Sequence, residues 1–339
     1  MKGVQELIKD AETILSEGNW DAASKLLVKV IKQIGDDPKD KESKKLLSQA
    51  LRLKAFADSR RGEFTEAIHG AKKAMNISKE IEDLEGEADA LRRLGYIHWQ
   101  KADYPMALEF YNSALEKANA AGSRKLLGRT KIELANTYDS MGNSKMSLRV
   151  FQDAIDILER EKDLHELARA LNNIASALMH DAKLKEALGY LTRCITVCDT
   201  SGNLIMKGWA ANNMAECHVR LGKPKAALPF LKMAERIMKD TDDKVGLAIT
   251  YMNYGMTYRE LHDWGQALVS FERAETTEGR LQMPALRAEI FREHGKMHAA
   301  VEETDLARHY FQKSLELFKD QNRQKDANEI KDLLSKLDG

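Results

Sequence analysis

Leu91-Arg92-Arg93-Leu94-Gly95-Tyr96-Ile97-His98-Trp99, a polar break at Ala102-Asp103, then Tyr104-Pro105-Met106-Ala107-Leu108-Glu109-Phe110-Tyr111: this stretch decides the fold. Its apolar residues return at i, i+3, i+4 and i+7, the spacing of one helix face. It therefore reads as two helices joined by a short turn. Its small residues then recur down the chain. Ala67, Ala107, Ala187, Ala227, Ala267 and Ala307, with Ser147 in the remaining place, stand 40 apart. Twelve residues earlier runs a second column: Ala55, Gly95, Ala135, Ala175, Ala215, Gly255 and Gly295. A fixed period between about 20 and 50 residues marks a repeat architecture. Small side chains let helix axes cross at roughly 8–10 Å. Neither helix of a copy buries its apolar face without its neighbours.

The other copies follow from these two columns. The first centres on Gly18-Asn19-Trp20-Asp21-Ala22-Ala23, and Ala23 precedes Ala67 by 44 residues. Four extra residues therefore enter a longer loop around Gly35-Asp36-Asp37-Pro38-Lys39-Asp40. The eighth centres on Thr304 to Phe311. In the tail, Gln324 to Leu337, one face carries Ile330, Leu333, Leu334 and Leu337, which suits a cap on a stack. The expectation is one body over 1–339, with repeats at 4–47, 48–87, 88–127, 128–167, 168–207, 208–247, 248–287 and 288–323 and a cap at 324–337. That makes sixteen repeat helices and one more. Gly18, Gly62, Gly142 and Gly222 fall in the breaks, where a left-handed residue ends a helix. Pro105 and Pro224 suit a first helical turn, and Pro229 lies further in, where proline can kink a helix.

Composition narrows the function. Length alone, 339 residues, suggests two or three domains, but a stacked array is one continuous body. Lys+Arg 53 balances Asp+Glu 53, which counts against nucleic acid as the main partner. Cys194, Cys198 and Cys217 are too few for a disulfide scaffold and fit a reducing cytosol, so a cytoplasmic location is expected. The start, Met1-Lys2-Gly3-Val4-Gln5-Glu6, lacks an apolar stretch, and no apolar run approaches the ~18 residues of a membrane span. Neither export signal nor membrane partner is expected.

These residues resemble the tetratricopeptide repeat family, whose pattern places Leu-Gly and Tyr in the first helix and Ala with an aromatic in the second. The seventh copy shows it as Tyr251, Tyr254-Gly255, Tyr258, Trp264, Ala267, Phe271 and Ala274. The third shows Leu91, Leu94-Gly95, His98, Tyr104, Ala107, Tyr111 and Ala114. The resemblance covers essentially the whole chain. The family's period is about 34, and its closing proline is replaced here by Asn119, Glu159, Asp199 and Lys239. The longer period is similar to that of the Pins/LGN adaptors and kinesin light chain. The resemblance implies an all-α, right-handed superhelical solenoid whose first helices line a concave groove.

No catalytic residue, metal or cofactor is expected. His294 and His298 stand four apart, but the glutamate of a zinc-protease helix is missing beside the first, and other copies fill these columns with packing residues such as Leu94 and Tyr258. Cys194 occupies a column held by Ala114, Ala154 and Ala234, where cysteine acts as a small hydrophobe. No phosphate loop, nucleophile elbow or HExxH occurs.

Carried over from the resemblance, the inward columns hold Arg92, Arg93, Tyr96 and Trp99, then Arg129 and Asn136, then Arg169, Asn172 and Asn173. Further on they hold Trp209, Asn212, Asn213 and Arg220, then Asn253 and Arg259. Asn173, Asn213 and Asn253 form one column, which can hold a peptide backbone while the arginines select acidic groups. The alternative is that these amides bond the neighbouring helix, and that the arginines pair with Glu133, Glu216 or Glu260. The expected function is a protein-interaction scaffold or adaptor that binds a protein or peptide in the groove. A ligand-responsive sensor is the alternative, and an RNA-binding helical repeat is the third reading. A second copy of the chain is among the partners such a stack can take.

Overall fold

The computed structural model describes residues 2–16, 18–281, 283–321 and 323–337. Met1, Glu17, Gln282, Asn322, Asp338 and Gly339 of the expected 1–339 body lie outside the described residues. Among the described residues there are seventeen helices and no strand. They run in pairs: α1 (Lys2–Ser16) with α2 (Trp20–Ile34), α3 (Lys41–Arg60) with α4 (Phe64–Glu80), α5 (Leu84–Gln100) with α6 (Tyr104–Ala120), and α7 (Arg124–Ser140) with α8 (Ser144–Arg160). Next come α9 (Leu164–His180) with α10 (Leu184–Ser201), α11 (Leu204–Arg220) with α12 (Pro224–Asp240), α13 (Lys244–Glu260) with α14 (Trp264–Gly279), and α15 (Pro284–Ala300) with α16 (Thr304–Asp320). The last helix, α17, spans Gln324–Ser335. Two 17-residue helices and two three-residue turns fill the 40-residue period.

The helices begin ahead of the expected repeat starts. α5 starts at Leu84 and α11 at Leu204, four residues before 88 and 208. The packing columns do not mark the caps that set these starts. Asp83 accepts the Gly86 N–H at 3.1 Å, Asn203 that of Met206 at 3.1 Å, and Asp243 that of Gly246 at 2.9 Å. Each satisfies a donor that a helix start leaves open. α12 continues through Pro229. Its missing N–H would have reached the carbonyl of Lys225 in the first turn, so only one bond near the end is lost.

The chain divides into two compact units, 1–173 and 174–339. In the first, Val4, Ile8, Leu27 and Val30 make one buried cluster, and Leu47, Leu51, Ala74 and Ala90 another. In the second, Ala215, Val219, Ala227 and Leu231 pack together. Phe311, Phe318 and Ala327 enclose Ile330 of α17, with Leu333, Leu334 and Leu337 packed against them. The tail thus covers the apolar side of the last pair. No helix among the described residues is long and apolar enough to cross a membrane.

The glycines of the small column are places of close approach. A Cβ added to Gly95 would lie 2.7 Å from the Tyr111 ring. One added to Gly255 would lie 2.6 Å from Phe271, and one at Gly295 would lie 2.6 Å from Phe311. Tyr111, Phe271 and Phe311 are themselves buried, so these rings have nowhere to retreat.

The turns share one backbone device. Their middle residue is left-handed, with φ of +81° at Gly62, +74° at Gly142 and +70° at Gly222. Ala102 (φ 58°), Ala182 (φ 58°) and Glu302 (φ 61°) hold the same place without being glycine. A side chain there crowds the following carbonyl. Ala102→Gly is therefore expected to stabilise the N-terminal unit by about 1 kcal/mol, read as a higher midpoint in urea; an unchanged midpoint would show that the turn carries no such strain.

Candidate functional site

In the N-terminal unit the first helices α3, α5 and α7 line a basin of about 430 Å³. Its wall carries six cations, Lys45, Arg52, Arg92, Arg93, Lys125 and Arg129, against the four acids Glu12, Asp83, Glu85 and Asp89. Three guanidiniums converge on Asp89: Arg92 Nη2 at 2.6 Å, Arg52 Nε at 3.5 Å and Arg93 Nε at 4.0 Å. Burial opposes ionisation of Asp89, but Arg92, Arg93 and Arg52 outweigh it and hold its pKa well below the carboxylate range. Arg93 is pulled the other way. Burial first, and then the charge of Arg92, bring its pKa down to about 10. Arg92 has Glu133 as a second partner, at 2.5 Å, whereas Arg93 reaches Asp89 only at 4.0 Å and its Nε has no hydrogen-bond partner, so of the three arginines Arg93 has the weakest counter-charge.

Beside the basin runs a row of half-buried rings. Trp20 meets Phe56 edge-on at 5.6 Å, Phe56 meets Tyr96 at 5.6 Å, and Tyr96 stacks on Trp99 at 5.8 Å. Arg93 lies over the Phe56 ring at 4.6 Å and Arg60 over Trp20 at 5.0 Å. Arg60 Nη1 donates to the Tyr96 hydroxyl at 3.1 Å, and Trp99 Nε1 donates to Ser140 Oγ at 3.0 Å. Arg93, Tyr96 and Trp99 are thus brought together. Trp20, Phe56 and Arg60 complete the row although sequence reasoning left them out. Phe56 stands 40 residues before Tyr96, so its column was the available signal.

Several expected groove residues are instead consumed by the neighbouring helix, which corrects their reading. Arg92 is buried, with Nη1 on Glu133 Oε1 at 2.5 Å. Asn212 is buried and donates from Nδ2 to the Gly246 carbonyl at 3.3 Å. Asn253 is buried and donates to the Asn212 carbonyl at 3.4 Å. Asn173 donates to Asn136 Oδ1 at 3.3 Å. These amides join one first helix to the next, which is the alternative weighed for the column. Asn172 and Asn213 are half-buried.

Two further residues, Arg129 and Trp209, act as staples between repeats. Arg129 Nη2 bonds the cap residue Asp163 at 3.2 Å, and Trp209 Nε1 bonds the cap residue Asp243 at 3.0 Å. Both partners lie 34 residues ahead, and Glu289 with Arg323 at 2.6 Å repeats the arrangement. Arg169 pairs with Glu166 at 2.6 Å, and Glu166 also takes Arg129 at 3.3 Å. In the C-terminal unit Arg220 donates to the Met179 carbonyl at 2.8 Å and pairs with Glu216 at 3.2 Å. Arg259 pairs with buried Glu293 at 3.0 Å. Burial would raise the Glu293 pKa, but Lys296, Arg259 and Arg292 prevail and hold it at about 2.

His294 and His298 stack at 4.8 Å and each keeps Nδ1 on a glutamate, Glu275 and Glu303 respectively. Among the described residues no three His, Cys, Asp or Glu side chains form a metal-sized group. Cys194, Cys198 and Cys217 are buried thiols outside any disulfide, and burial pushes the Cys217 pKa up to about 12.

The family profile described as tetratricopeptide repeat matches residues 46–120 and 166–240, and that of anaphase-promoting complex subunit 5 matches 94–182. Tetratricopeptide repeat protein 29 of Trypanosoma brucei brucei is 26% identical over 123 residues, which is 36% of this chain and 26% of that protein. The chain spans about a quarter to about half the length of the curated relatives it matches. Among solved structures, a Rap protein complexed with Competence and Sporulation Factor superposes with a TM-score of 0.63 at 14% identity, covering 99% of this chain and 98% of that one. The apo form of RapI superposes with a TM-score of 0.67 at 16% identity, covering 81% and 99%. These likenesses show the fold, an all-α helical-repeat solenoid. The 40-residue period and the two small columns agree with the matched profile, and the chain carries tetratricopeptide repeats over residues 46–120 and 166–240.

Proposed function

We propose that the chain is a protein-interaction scaffold without catalytic activity of its own, and that the basin and ring row of its N-terminal unit take an acidic segment of a partner protein. The repeat fold supports the scaffold. The observation that carries the site is the convergence of Arg52, Arg92 and Arg93 on the single carboxylate of Asp89. An incoming carboxylate supplies Arg93 with the counter-charge that its own fold withholds. Tyr96 and Trp99 beside it offer rigid, amphipathic contact surface of the kind that anchors interfaces. A sensor is the second reading, supported by the bound factor in one of the similar structures.

The test is selection of a random peptide library displayed on phage against the whole chain. Selected peptides are expected to be enriched in Asp and Glu, and to bind at least tenfold more weakly to Arg93→Met and to Tyr96→Ala. Tenfold corresponds to about 1.4 kcal/mol. Methionine keeps the packing on Phe56 while removing the charge. Peptides without acidic bias, or binding unchanged in both variants, would overturn the assignment.

A further inference from the structure

A second site lies among α2, α3 and α4, independent of the basin. Second helices of successive repeats place Gly70, Phe110, Val150, Tyr190, Phe230, Ser270 and Tyr310 in one column. Three of these rings lie on the histidine twelve residues earlier. Phe110 meets His98 at 5.3 Å, Phe230 meets His218 at 5.5 Å, and Tyr310 meets His298 at 5.3 Å. Where the column is Ser270, the first helix supplies Tyr254 and Tyr258, stacked at 5.9 Å. The second repeat has neither solution. Gly70 brings no side chain, and the corresponding first-helix residues are Lys54 and Asp58.

The unfilled place is a cavity of about 550 Å³, with Val28, Ile31, Leu51 and Ala55 in its wall. Lys54 and Asp58 also line it. Asp58 is 1% exposed; its Oδ2 accepts Lys54 Nζ at 2.5 Å, and its Oδ1 accepts Ser24 Oγ at 2.7 Å. Gly70 faces free space. An added Cβ would meet nothing nearer than the Leu51 carbonyl at 3.7 Å and Ala55 Cβ at 3.8 Å. An ammonium in an apolar wall attracts the negative face of an aromatic ring. A buried carboxylate beside it accepts from a hydroxyl. In the last repeat the chain's own Tyr310 fills this column: its ring lies 4.1 Å from His294, at the place of Lys54, and its hydroxyl reaches a carboxylate, Glu275.

We propose that this cavity binds a tyrosine side chain of a partner protein, which enters the place left open at Gly70 and lies against the Lys54–Asp58 pair. The test titrates N-acetyltyrosinamide and N-acetylleucinamide into the full chain and follows backbone amide resonances of Leu51, Ala55 and Gly70. The tyrosine probe is expected to shift them saturably, with Kd on the order of millimolar for so small a ligand. The leucine probe should bind at least fivefold more weakly. Gly70→Phe, which gives this repeat the ring that others carry, should abolish the shifts of Leu51 and Ala55 and raise the melting temperature. Lys54→Met, tested alongside so that the outcome does not rest on one variant, should weaken the tyrosine probe by threefold or more. No saturable shift, equal binding of both probes, or tyrosine binding unchanged in both variants would overturn the site.

Discussion

Gly255→Leu is expected to destabilise the C-terminal unit by about 3 kcal/mol or more, the upper range for overpacking a filled core. A bare Cβ at this position already stands 2.6 Å from Phe271 Cε1, closer than van der Waals contact permits. Phe271 is itself fully buried, so the ring and the helix must move together. The chain contains its own remedy. At the corresponding place one repeat earlier, Ala215 packs in the same cluster as Leu231. Gly255→Ala should therefore be costly alone and less so when combined with Phe271→Leu. A coupling of about 1 kcal/mol in the double-mutant cycle is expected from urea midpoints. If Gly255→Leu unfolds at the parent's midpoint, the glycine does not set the helix crossing.

Arg92→Met should destabilise the N-terminal unit by about 3–5 kcal/mol, the cost of leaving half of a buried ion pair behind. Glu133 is 8% exposed, and its Oε2 already lacks a hydrogen-bond partner. Removing Arg92 strips Oε1 as well, because Arg92 Nη1 holds it at 2.5 Å. Tyr111 closes off the same region with a buried hydroxyl that has no partner. Combining Arg92→Met with Glu133→Leu removes both charges and is expected to recover most of the loss, since well-packed apolar residues often replace buried pairs without penalty. Ile132 and Met252 fill the Arg92 column in other repeats, so the methionine itself fits the architecture. Urea midpoints with an unchanged slope would report stability alone. A single variant as stable as the parent would show that the pair does not hold α5 to α7.

By itself, the amino-acid sequence determined the repeat, its period, the number of helices and the positions where backbones meet. These follow from side-chain size, which acts at short range and in register with the helix. Gly95, Gly255 and Gly295 were readable because a missing Cβ has the same consequence in every copy. The gap at Gly70 stood in its column as well. What the tertiary structure decided was the use of the polar residues. Arg129, Trp209, Asn212 and Asn253 occupy columns that the family resemblance assigns to the groove, yet each bonds the adjacent helix, whose partner atom lies 34 or 41 residues away. Arg92 and Arg93 are sequence neighbours, but one is closed inside an ion pair and the other lies over Phe56 with too little counter-charge. Long polar side chains reach several ångströms and choose between partners on different helices. That choice depends on where caps, carbonyls and rings lie after packing, and no spacing along the chain encodes it.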